Sequence, residues 1–287
     1  MAVATVNGLS LGYELVGDEG PAWVITPGGR FSKDHPGIRE MATELADHAY
    51  RVLIWDRPNC GESDVCFEGP SESEMQADYL AALLDHLELA PAIVAGGSGG
   101  SRVSMITVAR HPEVARALAM WWVTGGTHGY VVNANHYCVG SIKAAWVYGM
   151  DGVAELPEWR EVIERNPSNR QRFLDQDRDS FLATFDRWIK VNLSDEGDIV
   201  PGLPEEEAKK LALPTVIVRS HPLDWVHLTS VTERLAASLP NATMIDWPAE
   251  EARQMALDMY DVGASKLFPK WRLLVPSLDE WAKKSVL

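Results

Sequence analysis

At 287 residues, with 46% hydrophobic residues and 11 tryptophans, the chain can bury the core of one large α/β domain, with or without an insertion. A formal net charge of -15 argues against a general nucleic-acid or anionic-membrane surface, which needs clustered Lys and Arg, and acidity of this size serves solubility. No apolar run reaches the ~18 residues of a membrane helix, the first twenty residues lack the charged and apolar regions of a signal peptide, and Cys60, Cys66 and Cys138 are an odd count without metal-type spacing. The expectation is a cytoplasmic protein that acts on a small molecule, without metal or cofactor.

In chain order, Asn7-Gly8 between Thr5-Val6 and the alternating Leu9 to Val16 predicts a β-hairpin. Ala22 to Thr26 reads as a strand ending at Pro27-Gly28-Gly29, and Ile38, Met41 and Leu45 place a helix over 38–49. Arg51 to Trp55 is a further strand. Ser71 and Glu74 have capping-box spacing at the start of an amphipathic helix that runs to Leu89. Ala92 to Ala95 reads as a buried strand, Arg102 to Arg110 as a helix, and Ala117 to Val123 as a strand containing Trp121 and Trp122.

The rhythm then breaks. From about Thr127 to Leu213 there is no convincing strand, but helical stretches at Pro157 to Arg165, Ser180 to Leu193 and Pro204 to Leu211. The last helix has Pro in its first turn, acids early and lysines late, as the macrodipole favours. Strands at 214–219 and 243–247 flank a helix at 231–239, and a last helix covers 277–284. Strand-helix alternation implies a mostly parallel sheet with helices on both faces.

Gly96-Gly97-Ser98-Gly99-Gly100 sits between a strand and a helix. A G-x-S-x-G at such a turn forces the serine into a strained, exposed position, although a Gly-rich turn can also cradle a phosphate. Taken with Pro27-Gly28-Gly29 after the third strand, and Asp56-Arg57-Pro58 with Gly61 and Ser63 after the fourth, this turn gives a sequence that resembles the α/β-hydrolase fold superfamily over nearly its whole length. The resemblance implies an α/β-hydrolase fold of about eight strands, with a core of residues 1–126 and 214–287 and a helical lid, residues 127–213, inserted after strand six. It implies Ser98 as nucleophile, an oxyanion hole formed by the N–H groups of Gly99 and of Gly29 or Arg30, and Asp224 as the triad acid. An ordinary helix-capping role for Asp224 stays open. Fold alone does not fix the reaction.

The resemblance also implies a catalytic histidine after the eighth strand, but Pro248 to Arg253 stand there, and no histidine follows His227. A serine hydroxyl without an adjacent base is a poor nucleophile. Three substitutes can be weighed: His227 or His221 from the Asp224 loop, His128 or His136 from the lid, and Glu250 or Glu251 acting directly. A carboxylate near pKa ~4.3 is a weak base toward an alcohol unless its environment raises that value. Arg30, Arg57 and Arg102 could converge on a substrate carboxylate. One of Trp121 and Trp122 is expected to line the pocket, because alternate residues of a strand face opposite ways. The reading is a small-molecule hydrolase of an ester, a lactone or an activated C–C bond with a non-standard base. The alternatives are a cofactor-free lyase or isomerase that moves protons with a carboxylate, and a binding protein on the same fold.

Overall fold

The computed structural model describes residues 2–193 and 197–287. Its main sheet has eight strands: β1 (Ala2–Val6), β2 (Leu9–Val16), β3 (Ala22–Thr26), β4 (Arg51–Trp55), β5 (Ala92–Gly97), β6 (Ala115–Trp121), β9 (Thr215–Val218) and β10 (Ala242–Ile245). They lie in the order β1-β2-β4-β3-β5-β6-β9-β10. From β4 to β10 all pairings are parallel, while β1 and β2 run antiparallel at one edge. The edge hairpin turns at Asn7 (φ 47) and Gly8 (φ 85), the left-handed pair that a tight right-twisting hairpin requires.

The central strands are buried on both faces and so read as unbroken apolar runs, with all five residues of β3 buried. Period-two alternation divides them between two cores. Val24, Leu53, Val94 and Leu118 join one cluster with Leu80 and Leu84 of α2 (Glu72–His86; α1 is Ile38–Ala46) and with Met105 of α3 (Gly99–Arg110). Trp23, Ile25, Ile54 and Ile93 join the other, with Ile38, Met41 and Leu45 of α1 and with Trp271 and Leu278 near the C-terminus. Ser71 caps α2 by accepting a hydrogen bond from Glu74 N at 3.1 Å.

Between β6 and β9 the chain leaves the sheet for α4 (Gly126–Ala134), α5 (Gly140–Ala154), α6 (Pro157–Arg165), α7 (Ser168–Leu174) and α8 (Arg178–Asn192). Trp159, Phe173, Phe181, Phe185 and Trp188 of these helices form a separate aromatic core that also takes in Val65, Cys66 and Phe67 from the loop after β4. The expectation of a strand-free insertion is corrected by a short antiparallel pair, β7 (Asp198–Val200) and β8 (Leu203–Pro204). A three-residue and a two-residue strand are too short to show periodicity. Pro204 therefore ends a strand, and the helix after it, α9 (Glu205–Ala208), is a single turn. Ile199, Val200, Leu203 and Ala208 pack in the first core cluster, beneath the sheet rather than among the inserted helices. The remaining helices are α10 (Thr229–Ser238), α11 (Ala249–Val262) and α12 (Val275–Ser285).

β4 lies on one side of β3 and β5 on the other, so the sheet order reverses at β3. Ligands of open α/β sheets bind beyond the strand ends at such a switch point, here where Pro27-Gly28-Gly29 and Gly97-Ser98 come together. Asp56 fixes the neighbouring loops. Its carboxylate accepts from Lys33 N at 2.6 Å and Glu62 N at 3.0 Å, and its carbonyl accepts from Ser63 Oγ at 2.6 Å. The Asp56 to Ser63 motif is thus a structural clamp.

Asp34 ties this region to α6, accepting from Lys33 Nζ at 2.9 Å, Arg39 at 3.0 Å and Arg165 at 2.7 Å. Partial burial works against its charge, but the three cations outweigh it and bring its pKa down to about 2. A pKa lowered on folding adds stability that is complete above the unfolded value and is lost as pH falls through the folded one. Asp34→Asn should therefore cost about 1–2 kcal/mol at neutral pH. Urea unfolding should show that penalty roughly halved near pH 3 and nearly gone at pH 2.

Candidate active site

Ser98 stands between β5 and α3 with φ 56 and ψ -125. A non-glycine residue held there stores of order 1–3 kcal/mol of strain, and the flanking glycines make the turn sterically possible. A Cβ at Gly96 would lie 2.5 Å from the Gly100 carbonyl, and one at Gly100 would lie 2.0 Å from Thr26 O. The backbones of β3, β5 and α3 therefore touch at this point. A Cβ at Gly28 would come 2.8 Å from Ser98 Cβ, which sets the loop after β3 directly against the serine. Ser101 secures the turn by donating to Ser98 O from both N, at 3.0 Å, and Oγ, at 2.7 Å.

A histidine from the loop after β9 stands against Ser98. His227 Nε2 lies 3.1 Å from Ser98 Oγ, and its Nδ1 lies 3.0 Å from Asp224 Oδ2. The other oxygen of Asp224 accepts from the backbone N–H of Val226 at 3.0 Å and of His227 at 2.9 Å. One carboxylate thus folds its own loop and holds the imidazole. Burial of Asp224 would raise its pKa, but adjacent His227 and the two N–H donors outweigh that and hold the carboxyl below its usual range. Because an ionised carboxylate only accepts, Nδ1 carries the proton, which leaves Nε2 free to accept from Ser98 Oγ–H.

His227 is fully buried, and its ring stacks on Trp122 at 5.5 Å between centroids and 8° between planes. Trp122 lies one residue past β6 with φ 50, so it escapes the strand alternation. Both tryptophans consequently lie on the same side, against Trp271, with centroids 5.0 Å away for Trp121 and 5.6 Å for Trp122. The expected division, with one ring facing the pocket and one facing a helix, does not hold. Trp122 backs the imidazole and Trp121 is core.

Where the resemblance puts a histidine, β10 runs through Trp247 and Pro248 into α11. The space beside Asp224 on that side is a cavity of about 10 Å³ lined by Trp122, Trp247, Met255 and Met259 among others. Glu250 and Glu251 lie in the first turn of α11, where Glu251 pairs with Lys270 at 2.7 Å and Glu250 is exposed. The helix dipole favours acids there, and among the described residues neither carboxylate hydrogen-bonds Ser98 or His227. His128 is exposed, edge-on to Trp225 at 5.6 Å. His221 accepts from Leu223 N at 3.1 Å within its own loop. His35, His48 and His111 are engaged by Ser265 O, Asp279 and Asp78 respectively.

The three arginines do not converge on an open cleft. Arg57 is buried and donates to the carbonyls of Gly28, Gly29 and Phe31 at 3.2, 2.9 and 3.3 Å, which fixes the loop that carries the Gly29 N–H. Arg30 pairs with Glu72 at 3.0 Å and stacks on Trp159. Burial disfavours its charge, but Glu72 more than compensates and its pKa is raised. Arg102 donates from Nε to Ser73 Oγ at 2.8 Å and lies against the Tyr137 ring. His136 borders the cleft, and crowding together with the Arg30 and Arg102 charges lowers its pKa to about 4, although the ring still reaches solvent. Burial pushes the Cys60, Cys66 and Cys138 thiols up to about 12, 11 and 12, which rules them poor nucleophiles near neutral pH. Among the described residues no cluster of His, Cys, Asp and Glu could hold a metal, and no helix is long and apolar enough to cross a membrane.

Tyr137 is the residue at this site that sequence reasoning missed. It lies in a π-helical turn, Asn135–Val139, between α4 and α5. Such bulges gather at functional sites, but hydrophobic periodicity does not reveal them.

A family profile described as alpha/beta hydrolase fold matches residues 26–121. A protein of Mycobacterium phage D29 with a provisional non-heme haloperoxidase name is 29% identical over 180 residues, 62% of this chain and 63% of its own length. Stretches matched in several further curated relatives cover 29% of their length, so the chain spans under two thirds of the relatives it matches first. Among solved structures, an esterase from Thermogutta terrifontis aligns over 100% of this chain and 99% of its own, with 18% identity and a TM-score of 0.61. A meta-cleavage product hydrolase from Pseudomonas fluorescens aligns over 99% and 98%, with 19% identity and a TM-score of 0.62. The eight-stranded sheet, the elbow and these likenesses define the class: an α/β-hydrolase fold. The fold of this chain is thus that of the α/β hydrolases, whose profile it matches over residues 26–121, and the two structural neighbours named here are hydrolases.

With Glu250 and Glu251 turned away from Ser98, Glu250→Gln and Glu251→Gln should each change ester turnover by less than about threefold. Steady-state kinetics of the two variants checks this, and a loss near the ~10²–10⁴ expected for removing a general base would contradict the placement.

Proposed function

We propose that the protein is a small-molecule serine hydrolase acting on an ester, a lactone or an activated C–C bond, with Ser98 as nucleophile, His227 as general base and Asp224 as its orienting acid. The observation that carries this reading is the 3.1 Å contact of His227 Nε2 with Ser98 Oγ, backed by the 3.0 Å contact of Nδ1 with Asp224. His227 takes the Ser98 proton as Oγ attacks the carbonyl carbon, and then returns it to the leaving group. The N–H groups of Gly99 and Gly29 receive the negative charge that builds on the carbonyl oxygen, each worth about 2.7–4 kcal/mol. Water repeats the sequence on the acyl-enzyme. The base has in effect moved from the loop after β10 to the loop after β9.

The esterase and the meta-cleavage product hydrolase named above support ester and C–C substrates as the range to search. Helices α4 to α8 act as the lid, because they bring Tyr137 and His136 over the serine, while residues 198–211 pack with the sheet. The three buried free thiols suit a reducing compartment such as the cytoplasm. A carboxylate-driven lyase is disfavoured by the pairing of Glu251 with Lys270 and the exposure of Glu250, and a pure binding role by the hydrogen-bonded Ser98, His227 and Asp224.

A fluorophosphonate probe should form an adduct on Ser98 in the wild-type protein and none on Ser98→Ala. Turnover of p-nitrophenyl butyrate should fall ~10⁶-fold in Ser98→Ala and in His227→Ala, and ~10⁴-fold in Asp224→Asn. An unlabelled Ser98 in folded wild-type protein would sink the reading.

A further inference from the structure

We propose that the Tyr137 hydroxyl is a third donor of the oxyanion hole, supplied by the inserted helices rather than by the sheet. The inference rests on the serine-hydrolase reading above.

Position is the first argument. A Cβ built on Gly99 would lie 2.6 Å from Tyr137 Oη and 3.3 Å from Gly29 N. The phenol therefore hangs over the first residue of α3, at the point where the two backbone donors converge. Among the described residues Tyr137 Oη has no hydrogen-bond partner, and although the residue is only 7% exposed, its oxygen is not one of the sealed, unpartnered buried atoms. A tyrosine with its ring packed and its hydroxyl open can donate to a bound group, and an oxyanion between Gly99 and Gly29 would be that partner.

Electrostatics is the second argument. The guanidinium carbons of Arg30 and Arg102 lie 5.1 and 5.2 Å from the Tyr137 ring centroid. Glu72 neutralises Arg30, but among the described residues no carboxylate lies within ion-pair distance of Arg102, which is 5% exposed and has an unpartnered Nη1. An unpaired buried cation is costly. Here it sits where a phenol gains electron density on its oxygen as it donates, so the same charge favours a stronger hydrogen bond in the transition state.

The step balances without an added reagent. Ser98 Oγ bonds to the carbonyl carbon, the C=O π pair moves to oxygen, and the Ser98 proton goes to His227 Nε2. Tyr137 keeps its proton throughout, donating a hydrogen bond to the oxyanion that weakens again when the C=O bond re-forms and the leaving group departs with the His227 proton.

Tyr137→Phe keeps the ring and its packing and removes only the hydroxyl. In the full-length protein, kcat for p-nitrophenyl butyrate should fall roughly 10²-fold with KM nearly unchanged. Affinity for a trifluoromethyl ketone, which adds to serine as an oxyanion, should weaken by a similar factor, with the melting temperature unchanged. A structural role would instead move KM or the melting temperature. Turnover equal to or faster than wild type, with Ser98 still labelled by the fluorophosphonate, would overturn the inference and leave the hydrolase reading standing. Failure to label Ser98 in the wild-type protein would remove both.

Discussion

The Asp224 carboxylate organises the site through two oxygens with separate tasks. Oδ1 gathers the N–H groups of Val226 and His227, which curls the loop after β9, and Oδ2 holds Nδ1 of the imidazole that this curl presents. With Asp224 and His227 three residues apart, local geometry sets most of their alignment. What the rest of the fold must supply is a serine in the right place and a wall behind the ring. The elbow provides the first through close backbone contact of β3, β5 and α3, and Trp122 provides the second. The charge on Asp224 is maintained although the residue is buried, because its neighbours outweigh the loss of solvent.

Much of the scaffold was legible because strong patterns encode it. β3 and β4 fall on the residues that their apolar runs delimit, Asn7-Gly8 makes the hairpin turn, and Ser71 caps α2 as its spacing to Glu74 implies. Ser98 was legible for the same reason, since the glycines around it have few other uses. Short or irregular features were not. β7 and β8 carry too few residues for a period, and the π-helical turn that holds Tyr137 has the composition of an ordinary helix. Trp122 misled because alternation holds only inside a strand, and a left-handed backbone at the strand end turned its ring to the side of its neighbour.

The proposed base shows a different limit. His227 was among the candidates, but nothing in its residue type or spacing ranks it above His221 or His128. Its distinction is three-dimensional: the direction in which the loop after β9 leaves the sheet, and the apolar packing of Trp247, Met255 and Met259 on the far side of Asp224. Glu250 and Glu251 looked like replacements because they stand in the expected stretch of sequence. That stretch is a helix start, which explains its acidity without chemistry.

The nearness of Asp224 to His227 also changes how the protein can vary. In the proposed mechanism nucleophile, base and acid lie on two short peptides, the elbow and a single four-residue loop, so β10 and α11 are released from any duty to the reaction. Their sequences can drift, lengthen or acquire binding roles under the demands of packing alone. The loop after β9, conversely, becomes a portable cassette: grafted onto a related sheet at the same strand end, it would carry acid and base together, already in register.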